Sequence, residues 1–131
     1  MIHLLYIEDD QSQAEGLALL FNGELDFNCI IEPTLESGIR RLEAGDIDSI
    51  ILDWELDNGM TGEQSIPKLK ALAPNTKLII YSGYDSLVIR DRALELGADE
   101  YLVKPLSPHE LIRVIYDVTL RKHEQLFGKE E

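Results

Sequence analysis

Five side chains in this 131-residue chain have the types and the placing to do chemistry together: Glu8, Asp9, Asp53, Ser82 and Lys104. Glu8-Asp9 follow the apolar run Leu4-Leu5-Tyr6-Ile7, and Asp53 follows Ile50-Ile51-Leu52. Ser82 follows Leu78-Ile79-Ile80-Tyr81, and Lys104 follows Tyr101-Leu102-Val103. Short, almost wholly apolar runs read as strands buried on both faces, the usual state inside a parallel sheet. In open α/β sheets ligands bind outside the carboxyl ends of the strands. The five residues are therefore expected on one rim, with Ser49 to Glu55 as the stretch at its centre.

Gathering Glu8, Asp9 and Asp53 has an electrostatic cost. Two like unit charges about 4 Å apart repel by roughly 4 kcal/mol at an effective dielectric near 20. Three carboxylates meet only if a proton is held or a cation is bound. Hard oxygen ligands with water positions to spare suit Mg²⁺ (or Mn²⁺). A hydroxyl at Ser82 and an ammonium at Lys104 beside a metal and a free carboxylate make a site for phosphoryl chemistry. Lys104 and the metal neutralise the phosphoryl oxygens, Ser82 donates a hydrogen bond, and Asp53 is the nucleophile.

The elements that must position these residues alternate along the chain. His3 to Ile7 is the first strand, and apolar spacing at Ala14, Leu17, Ala18 and Phe21 predicts a helix over about 11–22. Asp10 is placed to cap it. Phe27 to Ile31 is the second strand, and Thr34 caps a helix with Leu35, Ile39 and Leu42 on one face. Ile50 to Asp53 is the third strand, and Ile66, Leu69 and Leu72 mark the helix after its loop. Leu78 to Tyr81 is the fourth strand, with a helix from about Asp85 to Leu96 whose apolar positions are scattered. After the fifth strand, Tyr101 to Val103, Ser107 and Glu110 have capping-box spacing before a last helix reaching Leu126. Five strand–helix alternations predict a flavodoxin-like, doubly wound α/β fold with a five-stranded parallel sheet in the order 2-1-3-4-5. That order sets the ends of strands one and three side by side.

Composition narrows the function classes. The formal net charge is -13, from 25 acidic and 12 basic residues, and such a field repels nucleic-acid phosphates. Cys29 is the only cysteine and lies in an apolar-leaning strand, so burial is expected over reactivity. His3, His109 and His123 have no metal-ligand spacing. Gly59 and Gly62 make no phosphate loop, since no Gly-Lys-Ser/Thr follows. Trp54 reads as a partly covered loop aromatic. With no signal segment and no run long enough to span a bilayer, the expectation is a soluble cytoplasmic protein without a membrane partner.

Taken together, Glu8-Asp9, Asp53, Ser82-Gly83 and Lys104-Pro105 at successive strand ends resemble a response-regulator receiver domain, the phospho-acceptor module of two-component signalling. The resemblance covers about residues 2–122, and divides the chain into a receiver at 1–122 and a helix end with acidic tail at 123–131. It implies that Asp53 accepts a phosphoryl group from a histidine kinase or phosphotransfer protein. It implies Mg²⁺ held by Glu8, Asp9, Asp53 and the backbone carbonyl of Glu55. Ser82 and Tyr101 would be a switch pair, although Tyr101 reads equally as a plain strand aromatic. Glu55 and Tyr84 would flank the path of the hydrolytic water, and Pro105 would follow a cis peptide bond. Output would be protein–protein contact through the 85–122 face, from a monomer or a weak dimer in which Arg90 and Glu110 pair. Such a module assists its own phosphorylation and is not a turnover enzyme. A phosphorylation-independent binding module and an aspartyl phosphohydrolase are the alternatives. Two departures stand out: Asp57 replaces a common proline, and Gly62 lies one residue further on than the family's glycine, which lengthens that loop.

Overall fold

The apolar runs become strands because each alternates its side chains between two helix layers. The computed structural model describes residues 1–56 and 58–128, with 122–128 as helix backbone alone. The described residues form strands β1 (Ile2–Ile7), β2 (Phe27–Glu32), β3 (Ser49–Leu52), β4 (Lys77–Ser82) and β5 (Glu100–Val103). The helices are α1 (Gln11–Asn22), α2 (Leu35–Glu43), α3 (Gly62–Leu72), α4 (Leu87–Leu96) and α5 (Pro108–Gly128). The sheet has the predicted order β2-β1-β3-β4-β5, with all four pairings parallel.

One face of the sheet carries Leu4, Tyr6, Ile51, Ile79 and Tyr81 against Leu17 and Phe21 of α1 and Leu111, Ile115 and Val118 of α5. The other carries Leu5, Ile7, Ile50, Leu52, Leu78 and Ile80 against Leu35 of α2, Ile66 and Leu69 of α3, and Ala93 of α4. A fully buried aliphatic side chain contributes roughly 1.5–3 kcal/mol, so these two layers hold the sheet between its helices. Cys29 is buried among them, as expected.

Caps set the helix starts. The Asp10 carboxylate accepts from the Gln13 N–H at 3.1 Å, as its place before α1 predicts. Thr34 and Ser37 form a capping box at α2, and Thr61 and Gln64 another at α3. Ser86 caps α4, which starts two residues later than the predicted Asp85 because both residues are cap formers and the second wins. α4 offers Ala93 as its only buried residue among those described, which explains its scattered pattern; Leu87 and Val88 are exposed. β3 ends at Leu52, so Asp53 is the first residue beyond the strand and not its last. The acidic tail from 129 lies outside the described residues, as does the His123 side chain.

Candidate functional site

Register brings the site together. Ile7 and Leu52 are paired across β1 and β3, so the residues that follow them, Glu8 and Asp53, leave the sheet side by side. Ser82 and Val103 are paired across β4 and β5, so Lys104 leaves next to Ser82. Its four-carbon stem carries the ammonium back across the strand ends. Lys104 Nζ stands 2.9 Å from Asp53 Oδ2, 3.2 Å from Glu8 Oε1 and 2.9 Å from Gln13 Oε1. It also lies 5.6 Å from the centre of the Tyr81 ring.

Glu8 is buried, and its carboxylate accepts from the Tyr6 hydroxyl at 3.1 Å and the Asp10 N–H at 3.2 Å. Burial, then a hydrogen bond with Asp9, hold the Glu8 carboxyl above the usual range, against the pull of the Asp10 N–H and Lys104. Burial also opposes the charge of Lys104, but the hydrogen bond and charge of Asp53, then of Glu8, overcome it and raise its affinity for the proton. Burial beside Glu8 pushes the Tyr6 phenol well above its ordinary range. The carboxylates are thus compensated both by a bound cation, the Lys104 ammonium, and by a tightened hold on a proton at Glu8. Among the described residues no three Asp, Glu, His or Cys side chains are grouped to hold a metal as they stand. Glu8 Oε1 and Asp53 Oδ2 both lie within 3.2 Å of the Lys104 nitrogen, and carboxylate oxygens are hard donors, the chemical type that Mg²⁺ prefers.

A second cluster meets at Tyr84. Ser82 is buried, and its hydroxyl accepts from the Tyr84 N–H at 3.3 Å. Tyr101 is buried on the α4 side of the sheet and donates to the Tyr84 carbonyl at 2.6 Å. The Tyr84 hydroxyl donates to Glu55 Oε2 at 3.0 Å, beside the Asp53 loop. The carboxylate raises the Tyr84 phenol above its ordinary range, through this hydrogen bond first.

The loop after Asp53 is closed by its own contacts. Asp53 Oδ1 accepts from the Glu55 N–H at 3.2 Å, the Leu56 N–H donates to the Met60 carbonyl at 2.8 Å, and Glu55 and Thr61 form an antiparallel bridge. Asp57 itself lies outside the described residues. Trp54 is buried, only 8% exposed, and not partly covered as its place in a loop suggests. Its ring fills the space left by the missing side chain of Gly62, where an added Cβ would lie 2.3 Å from the indole. After β5 the Lys104-Pro105 peptide bond is cis, and the Leu106 N–H donates to the Tyr81 hydroxyl at 3.0 Å.

Glu8, Asp53, Ser82 and Lys104 thus meet at the carboxyl ends of the strands, with Glu55 and Tyr84 beside them, while Tyr101 lies within β5 and reaches Tyr84 through its hydroxyl. Three site residues went unmarked: Tyr6, Gln13 and Tyr81. Tyr6 stands two before Glu8 and so on the same face of the strand, a signal that period-2 reading carries. Nothing in the sequence marks Gln13. A cavity of about 490 Å³ among Ile2, Asp48, Thr76, Lys77 and Tyr116 opens at the opposite ends of the strands and shares no residue with the site.

The response regulator receiver domain family matches residues 4–116. The chain is 32% identical over 120 residues to the cell cycle response regulator CtrA of Brucella ovis and of Brucella anthropi, covering 92% of this chain and 51% of each relative. It spans about half the length of the curated relatives it matches. A CheY-like response regulator receiver domain protein from Methanospirillum hungatei JF-1 superposes with a TM-score of 0.86 at 25% identity, covering 95% of this chain and 98% of that one. A response regulator receiver domain protein from Clostridium thermocellum, at 23% identity and a TM-score of 0.84, covers 95% of this chain and 99% of that one and shares the fold. With the match running from β1 into α5, the chain belongs to the response regulator receiver domain family.

Proposed function

We propose that this chain takes a phosphoryl group onto Asp53 from a phosphorylated histidine kinase or phosphotransfer protein and signals by protein–protein contact. The observation that carries this reading is the Lys104 ammonium, 2.9 Å from Asp53 and 3.2 Å from Glu8. A carboxylate is a weak nucleophile, and an incoming phosphoryl dianion meets an acidic rim. A fixed ammonium offsets that repulsion and stands beside the oxygen that attacks. In the step, an Asp53 oxygen forms a bond to phosphorus while the phosphorus–nitrogen bond of the donor histidine breaks, and the imidazole leaves with that electron pair. Asp53 Oδ1 is held by the Glu55 N–H, which orients the carboxylate. Ser82, the last residue of β4, supplies a hydroxyl at the rim for a phosphoryl oxygen.

Glu8, Asp9, Asp53 and the Glu55 carbonyl are the groups that would hold Mg²⁺ or Mn²⁺, which supplies further neutralisation of the phosphoryl charge when bound. The receiver unit is taken as residues 1–122, acting in the cytoplasm as a signalling module. No described helix is long and apolar enough to cross a membrane. The cluster of Ser82, Tyr84 and Tyr101 joins Glu55, two residues past Asp53, to β5, which supports the face of α4, β5 and α5 as the one that reads the phosphoryl group. Incubation with a panel of phosphorylated histidine kinases tests the reading: label transfers to this chain and not to its Asp53→Asn variant. Equal labelling of both would remove Asp53 from the role.

A further inference from the structure

We propose that Gln13 is a positioning residue for Lys104: its amide oxygen, 2.9 Å from Nζ, holds one ammonium proton and so fixes where the other two point. An ammonium has three N–H donors and no acceptor. Lys104 has three acceptors within 3.2 Å, Asp53, Glu8 and Gln13, so each proton has one partner. Two of the partners are anions that pull the ammonium inward. Gln13 is neutral and lies on the exposed side, so it sets the third direction without adding charge to the acidic rim.

Gln13 is itself held. It stands in the first turn of α1, where its N–H donates to Asp10 Oδ1 at 3.1 Å and its Nε2 lies 3.5 Å from Asp10 Oδ2. This network assigns the amide: the nitrogen faces a carboxylate and the oxygen faces the ammonium, and a flip would set like against like at both ends. The helix cap and Lys104 are thereby linked through one side chain. In the absence of the amide oxygen the third proton turns to water and the ammonium, 5.6 Å from the centre of the Tyr81 ring, is free to rotate. The contact rests on this geometry; its consequence for phosphoryl transfer rests on the reading of Asp53 as acceptor.

The test is a double-mutant cycle with acetyl phosphate as donor in saturating Mg²⁺. Gln13→Met keeps the length of the side chain and removes the acceptor. The maximal rate of phosphorylation should fall about tenfold, the size that a hydrogen bond to a charged group allows, with half-saturation by donor changed less than about twofold. In a Lys104→Met background the same change should have almost no effect, because no ammonium remains to be positioned. The Cε–Hε NMR signals of Lys104 should move toward those of a free lysine in Gln13→Met and return toward the wild type in Gln13→Glu, which restores an acceptor. Equal losses of rate in both backgrounds, or Lys104 signals that ignore Gln13, would overturn the proposal. If the wild type takes up no phosphoryl group while the Lys104 signals still follow Gln13, the acceptor reading fails and the positioning contact stands.

Discussion

The Tyr101 hydroxyl donates a 2.6 Å hydrogen bond to the backbone carbonyl of Tyr84. Tyr84 in turn gives its N–H to Ser82 and its phenol to Glu55, so one tyrosine joins β4, β5 and the loop that carries Asp53. Tyr101→Phe removes a hydrogen bond from a buried ring and should cost about 0.5–1.5 kcal/mol in urea unfolding. It should also loosen the link between Asp53 and the α4–β5–α5 face. Beryllofluoride should shift amide signals on that face in the wild type and shift them less in Tyr101→Phe. Shifts confined to the loops around Asp53 in both proteins would break the link.

Glu55 and Tyr84 form an exposed strap beside Asp53. Opening it gives water an easier path to an acyl phosphate. Glu55→Ala and Tyr84→Phe should each speed dephosphorylation by about two- to tenfold, the range that one exposed hydrogen bond allows, and leave phosphorylation intact. The double variant should be no faster than the quicker single variant, since the two changes remove one contact. Additive effects would mean that the side chains act separately.

Gly62 is where the lengthened loop meets the core. A Cβ at this position would lie 2.3 Å from the Trp54 ring, so Gly62→Ala must push the indole out of its seat. The expected loss is about 1–3 kcal/mol, with a shift in Trp54 fluorescence toward that of an exposed indole. A variant of unchanged stability and emission would show that the loop yields without strain.

Burial pushes the Cys29 thiol up to about 12, above its ordinary range. A raised value means that the folded state favours the neutral thiol. The stability this contributes is fully present below the ordinary thiol range, and is lost as pH rises through the folded value. At pH 8 a disulfide reagent should therefore label Cys29 slowly in the native protein and rapidly in urea. Equal rates in both conditions would contradict its burial.

What the sequence displays well is what one strand or one helix decides by itself. The runs at Leu78–Tyr81 and Ile50–Leu52 are apolar on both faces because two helix layers cover them, and no partner need be known to read that. Asp53, Ser82 and Lys104 are legible because each breaks such a run at its end. Contacts between distant elements are less so. Trp54 looks like a loop aromatic until Gly62 is known to leave room for it. The three carboxylates read as a metal set, but nothing local tells that the Lys104 stem reaches back to Glu8. Gln13 is one polar residue of a helical first turn, and only the folded arrangement shows what its amide holds. The start of α4 was obscured for a different reason, since Asp85 and Ser86 are both competent caps.

The most direct measurement is the intact mass of the protein after incubation with acetyl phosphate and Mg²⁺, followed by peptide mapping. A free carboxylate among Glu8 and Asp9 is reached by a phosphoryl donor only if positive charge offsets the rim and holds donor and acceptor in line. One added phosphoryl group is expected, mapped to Asp53, absent after chelation, absent in Asp53→Asn and reduced in Lys104→Ala. A well-folded, Mg²⁺-supplied protein that gains no phosphoryl group from acetyl phosphate or from any phosphorylated kinase, or that gains it elsewhere than Asp53, would contradict it.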